Sequence, residues 1–205
     1  MTSSRRAFLL GTSAALIAAP SWLRASTMPT PRATEGPFYP TALPLDSDND
    51  LVSVTGQQAK ARGTIAHVSG RVLDSAGKPV ANARVEIWQC DWQGIYLHPR
   101  DGGQNRRDTG FQGFGATTTT GDGSYRFRTI KPVAYAGRTP HIHYKVKAGN
   151  RELTTQMYVT GEAGNERDGL YRMLGGNASL VTVTLAPALQ IEPEAVSGRF
   201  DIVLG

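Results

Sequence analysis

Apolar and polar positions alternate along short stretches of this chain, and the stretches are separated by clusters of Gly, Pro, Asn and Asp. "HVSGRVLD" runs into the turn "SAGKP" and then "ARVEIWQ"; "GATTTT" and "SYRFRTI" flank "GDG"; "HIHYKVKA", "LTTQMYV", "LVTVTLA" and "GRFDIVL" follow. An alternation of period two puts every second side chain on one face of an extended strand, so these runs predict strands with one face toward a core. The two runs around "GDG" predict a hairpin. One region alone, "NERDGLYRMLGG", is left for a helical turn. About eight short strands joined by polar turns give an all-β fold, an antiparallel β-sandwich whose long loops would carry a site. Residues 26–66 are rich in Pro, Thr, Ser and Asp and keep no period, which predicts an extended arm ahead of a sandwich domain over residues 67–205.

The first residues have a different character. "MTSSRRAFLLGTSAALIAAPSWLRAS" opens with Arg5 and Arg6, continues with a short apolar run and ends in small residues. That layout is an export signal, too short in its apolar part for a permanent membrane span. The paired arginines in "SRRAFLL" point to the twin-arginine route, with cleavage expected near Ala25 and a periplasmic or extracellular destination. The signal also alters the charge argument. The 205 residues carry 22 basic and 17 acidic side chains, but residues 1–25 hold three arginines and no acid, leaving a net of +2. Nothing in that balance calls for a nucleic-acid partner, and no later run is long and apolar enough to span a bilayer. With Cys90 as the single cysteine, no intrachain disulfide forms.

Chemistry concentrates in "YAGRTPHIHY". The chain has four histidines, and His141 and His143 stand two apart in a strand pattern, so their imidazoles share a face. They form either half of a metal site or one polar face of a strand. One cysteine excludes a Cys-rich zinc site. No acid lies between Asp122 and Glu152, which disfavours a site of two histidines and a carboxylate. The oxygen donors in reach are tyrosines: Tyr96, Tyr125, Tyr135 and Tyr144. Tyr144 alternates with His143 and belongs to the core face, and Tyr125 alternates with Phe127 as a packing residue. Tyr96 and Tyr135 fall in loops at strand ends, where sites are built. A cation favours ionised phenol strongly, and two phenolates with two imidazoles suit a hard trivalent ion such as Fe(III). Such a site would chelate a catechol through its two oxygens.

Four segments in order, "TEGPFYP", "GRVLDSAGKPVANARVEIWQCDWQGIYLHP", "FRTIKPVAYAGRTPHIHYKV" and "TTQMYV", resemble the intradiol ring-cleavage dioxygenases, the family of protocatechuate 3,4-dioxygenase and catechol 1,2-dioxygenase. The resemblance implies one non-haem Fe(III) per chain, held by Tyr96, Tyr135, His141 and His143, with Tyr135 the ligand that gives way to substrate. It implies a catecholic substrate and O2, and ring opening between the hydroxyl-bearing carbons to a cis,cis-muconate. Arg138 matches the family's active-site arginine and Gln156 a glutamine near the iron. Gly36 and Pro37 match a substrate-pocket strand. His98 lies in the signature without a ligand's place, and His67 reads as structural. The chain departs from the family at Ala136 and Gly137, where bulkier residues are usual, so the site's mouth is expected to be open. The helical dimerisation domain of the catechol 1,2-dioxygenases has no counterpart here, and a homo-oligomer is left open. "GKPVANARVEIW" also resembles prealbumin-like sandwich domains, metal-free modules that bind or space. Tyr96 and the "Y…RTPHIH" segment separate the two, because a spacer has no use for them.

Overall fold

In a computed structural model describing residues 28–205, the alternating runs assemble into two five-stranded sheets. The export signal expected over residues 1–25 lies outside the described residues. The first sheet is built on β1 (Ile65–Asp74). It pairs on one side with β4 (Ser124–Ile130), and on the other with β9 (Val196–Arg199) and then β10 (Ile202–Leu204), with β8 (Ala186–Pro187) beyond β9. The second has the order β3 (Phe114–Thr118), β2 (Arg84–Trp88), β5 (His141–Ala148), β6 (Arg151–Val159), β7 (Thr182–Val183). The predicted helical region forms a short helix, α1 (Gly169–Met173). Most pairings are antiparallel, as expected, but β1 runs parallel to β9 and β10, and β6 parallel to β7, so both sheets are mixed. Among the described residues no helix is long and apolar enough to cross a membrane.

Three local expectations changed. "LVTVTLA", expected as one strand, splits into β7 and β8, which belong to different sheets. "GRFDIVL" is broken between β9 and β10, where the Phe200 amide donates to the Ser69 carbonyl and the Asp201 carboxylate accepts from the Arg71 amide. Gly70 stands opposite the break, and any Cβ there would overlap the Phe200 carbonyl. The "GDG" turn closes as predicted, with Gly123 N donating to Thr120 O at 2.9 Å. Its two strands then part into different sheets: β3 pairs with β2, while β4 pairs with β1 over seven consecutive positions. Turn chemistry fixes a reversal of direction but not the partner. The long register along β1 outweighs the single rung beside the turn.

Between the sheets, Val68, Val72 and Phe127 meet Val85, Ile87, Ile142, Tyr144, Val146 and Met157. Burial of each such side chain stabilises the fold by about 1.5–3 kcal/mol. A second apolar cluster lies on the outer face of the second sheet, where Trp88, Cys90, Tyr96 and Phe114 pack with Phe38, Tyr39, Val133 and Tyr135. Loops and the N-terminal arm cover this face, so β5 is buried on both sides from His141 to Val146. The arm is tied down at several points. Thr30 N donates to Val203 O and Ala33 N to Thr154 O. Glu35 pairs with Lys145, whose ammonium lies 3.7 Å from the Tyr39 ring centroid. The Tyr39 hydroxyl donates to Glu86 at 2.9 Å.

Candidate active site

The register of β5 turns Ile142 and Tyr144 inward and sends His141 and His143 into the outer cluster. Their Nε2 atoms face each other at 3.2 Å. His141 Nδ1 lies 2.7 Å from the Thr139 carbonyl, which can only accept. The ring proton therefore sits on Nδ1, and Nε2 carries a free lone pair. His143 lies opposite Trp88 in the sheet and stacks on its indole at 4.8 Å, with a buried Nδ1 that has no hydrogen-bond partner. Burial lowers the His141 pKa to about 4, with Arg138 adding to the effect against the Thr139 bond. Burial, then His141 and Arg138, puts His143 well below the ordinary value. Both rings are neutral near pH 7, the form that ligates.

Tyr96 is fixed through its backbone. Its amide donates to Asp101 Oδ2 at 2.9 Å, and its carbonyl accepts from Gln104 Nε2 at 2.6 Å. The tight loop ahead of it is wound on Asp91, whose Oδ1 accepts from the amides of Gln93 and Ile95. The phenol is then clamped between Phe38, stacked at 4.7 Å, and Tyr135, edge-on at 4.9 Å. Its hydroxyl is buried without a partner.

Tyr135 and Arg138 flank a two-residue turn. Ala136 and Gly137 both carry positive φ, 44° and 79°, as in the primed turns that join antiparallel strands. Arg138 N donates to Tyr135 O at 2.7 Å, and the residues form an isolated antiparallel bridge. The slim pair seen in the sequence is thus what brings phenol and guanidinium out side by side. Burial raises the pKa of both phenols, Tyr96 the further because Cys90 and Tyr135 add to it. A cation among the four rings would reverse that preference. Among the described residues no three His, Cys, Asp or Glu side chains converge, so anionic charge at a metal here falls to the tyrosines.

Beside this group runs a polar chain. Arg138 Nη2 donates to Gln156 Oε1 at 2.8 Å and approaches the Tyr158 hydroxyl at 3.4 Å, while Tyr158 itself donates to Gln156 Oε1 at 2.7 Å. Arg138 Nε donates to Asp168 Oδ2 at 2.7 Å. Burial alone would raise the Asp168 pKa, but the Thr139 amide, the Arg138 guanidinium and the Tyr171 amide hold it below the usual carboxylate range.

The structure thus brings together Tyr96, Tyr135, Arg138, His141, His143 and Gln156. Gly36 joins them: a Cβ there would lie 3.5 Å from His143 Cε1, while Pro37 beside it is exposed. His98 is buried and accepts from the Arg100 amide through Nδ1; His67 pairs with Glu192 on the first sheet. Tyr144 is fully buried in the main core. Asp168, Tyr158, Asp91 and Asp101 were missed by the sequence reading. "DGLY" is a helix-start signal that could have marked Asp168 as a cap, but its contact with Arg138, 30 residues away, has no local signature. A cavity of about 330 Å³ adjoins Gln156 and Tyr158, lined also by Thr34, Leu170, Leu174 and Val181. Two other cavities, about 490 Å³ near Leu45 and Phe111 and about 750 Å³ near His67 and Arg126, touch none of these site residues.

Comparison with known proteins gives a consistent result. The family described as Dioxygenase matches residues 34–204. The chain is 36% identical over 171 residues to the protocatechuate 3,4-dioxygenase beta chain of Burkholderia cepacia, covering 77% of this chain and 71% of the relative. It is 34% identical over 161 residues to a catechol 1,2-dioxygenase of Acinetobacter baylyi, covering 69% of this chain and 50% of that relative, so it spans about half that protein's length. Among solved structures, the dioxygenase domain of a dioxygenase carbohydrate-binding protein fusion from Streptomyces sp. SirexAA-E superposes with a TM-score of 0.66 at 34% identity. The match covers 86% of this chain and 98% of that one.

Proposed function

We propose a function from one premise: the chain belongs to the intradiol ring-cleavage dioxygenases, ring-opening oxidoreductases. The substrate is a catechol-type diol, opened between its hydroxyl-bearing carbons with O2 to a cis,cis-muconate. One Fe(III) per chain would be held by Tyr96, Tyr135, His141 and His143. The observation that carries this is a pair of imidazole Nε2 atoms facing each other at 3.2 Å, with the Tyr96 ring 6.1 Å from that of His143 and its buried hydroxyl without a partner of its own. Such donors fit a hard cation, and a metal-free spacer has no account for them. Iron bound there supplies Lewis acidity toward the diol oxygens and a route for electrons toward O2.

The protein's own groups do the rest. Tyr96, pinned at both its amide and its carbonyl, stays in place. Tyr135, half-buried on its short turn, is the phenol free to move, and its Oη takes a proton from the incoming diol. Arg138 stabilises negative charge that grows on the ring. Gln156 and Tyr158 line the cavity that receives the ring's far edge, and Phe38, Trp88 and Phe114 keep the site dry.

The deciding experiment is iron loading followed by spectroscopy and turnover. Loaded protein is expected to be red-brown from phenolate-to-iron charge transfer, and to consume O2 and catechol in equal amounts with muconate absorbance appearing. A protein that stays colourless after loading, or gives extradiol products, overturns the proposal. We further propose export by the twin-arginine route, tested by cell fractionation and the N-terminal mass of the mature chain; a cytoplasmic, unprocessed chain would refute it.

A further inference from the structure

Asp168 shows an economy that helix capping alone does not require. Its carboxylate is buried, with a side-chain exposure of 0%, and takes four hydrogen bonds, two on each oxygen. Oδ1 accepts from the amides of Leu170 and Tyr171, the usual work of an N-cap at the start of α1. Oδ2 points the other way and accepts from Thr139 N at 2.9 Å and Arg138 Nε at 2.7 Å. A cap needs only one oxygen, and Ser, Thr or Asn would provide it. The second oxygen leaves a full charge that needs a cationic donor, because a buried carboxylate is stable only when paired and fully hydrogen-bonded.

The consequence falls on the guanidinium. With Nε held by Asp168 and Nη2 by Gln156, two of its three nitrogens are engaged on one edge. Nη1 has no hydrogen-bond partner among the described residues. Two engaged corners fix a planar fork in both position and rotation. The same Oδ2 also holds the Thr139 amide, two residues before His141, and so ties the arginine to the start of β5. Tyr171, capped by Oδ1, packs its ring 4.9 Å from that of Tyr158, the other wall of the polar chain.

We propose that Asp168 is the positioning residue of the active-site arginine: it fixes Arg138 so that Nη1 is presented to the ring under attack. This rests on the function proposed above. Asp168 touches neither ring nor metal, and its effect is exerted through Arg138.

Two variants separate this role from capping. Asp168→Ser keeps an N-cap hydroxyl for α1 and removes the arm that reaches Arg138. Asp168→Asn keeps the shape but sets an amide donor against one pair of donors. In iron-loaded protein, Asp168→Ser is expected to lower kcat by roughly 100-fold, the scale of a displaced catalytic group, with KM little changed. Arg138→Ala alone should lose at least as much. Adding Asp168→Ser to Arg138→Ala should cost less than about twofold more, because the residue it acts through is already gone. Losses that multiply in the double variant would overturn the proposal, as would full activity in Asp168→Ser. The Arg138 Nε–H signal in ¹⁵N NMR gives a reading independent of turnover. It should be resolved and slow to exchange in the wild type, fast in Asp168→Ser, and its insensitivity to the substitution would likewise refute the clamp. If the wild type opens no catechol while that signal behaves as expected, the failure lies with the proposed reaction and not with the arginine's attachment.

Discussion

Tyr96 and Tyr135 carry the same functional group but are held in opposite ways, and the difference is open to test. The Tyr96 hydroxyl is buried with no partner, a condition that costs about 1–3 kcal/mol in a metal-free protein. Tyr96→Phe is therefore expected to melt at or above the wild type when both are stripped of metal, while losing iron affinity; a marked drop in the metal-free Tm would show the hydroxyl to be satisfied some other way. Tyr135 is half-buried on its turn. Tyr135→Phe should shift the charge-transfer band and slow turnover, with a melting change of less than about 1 kcal/mol. An unchanged spectrum would remove Tyr135 from the site. These four rings were legible in the sequence because period two fixed the histidine face and loop position singled out two tyrosines. Asp168 and Tyr158 were not: what gives each its place is a contact made across the fold, and a strand tyrosine facing Gln156 looks like any other packing residue.

At the scale of elements, the turn over Ala136 and Gly137 sets the spacing of phenol and guanidinium. Gly137 has φ 79° with open space around the position of a Cβ, so Gly137→Ala tests backbone conformation alone. It should cost about 1–2 kcal/mol locally and reduce turnover well beyond what the small Tm shift accounts for; a variant as active as wild type would mean the turn need not hold that form. On the first sheet, Glu192 bridges β1 and β4 by accepting from Arg128 and pairing with His67. Its pKa is lowered to about 2, chiefly by the Arg128 hydrogen bonds. A depressed carboxylate contributes stability above its unfolded value of 4.5, and that contribution is lost as pH falls toward 2. The Tm gap between wild type and Glu192→Gln should thus be widest above pH 5 and close on acidification. A gap that is flat with pH would assign the effect to packing. The strands themselves were readable from alternation, and β4 and β5 match their predicted limits. Their sheet membership was not, as the parted strands at "GDG" show, because pairing partners are chosen by register over many residues.

For the whole molecule, the expected linkage is between iron and folding. Ligand that binds only the folded chain adds RT ln(1 + [L]/Kd), about 2.7 kcal/mol at a hundredfold excess over Kd. Removal of iron by a chelator should therefore lower Tm, and Tyr96→Phe should abolish most of that difference. The all-β sandwich was legible at this scale, but the second apolar cluster outside it was not. It is assembled from Phe38, Trp88, Tyr96 and Phe114, which come from separate segments of the chain. That arrangement has a kinetic meaning. The sheet of β5 is a wall shared by two packed regions of unequal size, and the outer one is closed by loops and a strap rather than by another sheet. Amide exchange should then be biphasic: the covering segments, residues 34–39 and 131–137, open at low free energy while the inner strands exchange only on global unfolding. Metal loading would slow the first class alone, making exchange protection of the strap a measure of occupancy that needs neither colour nor catalysis.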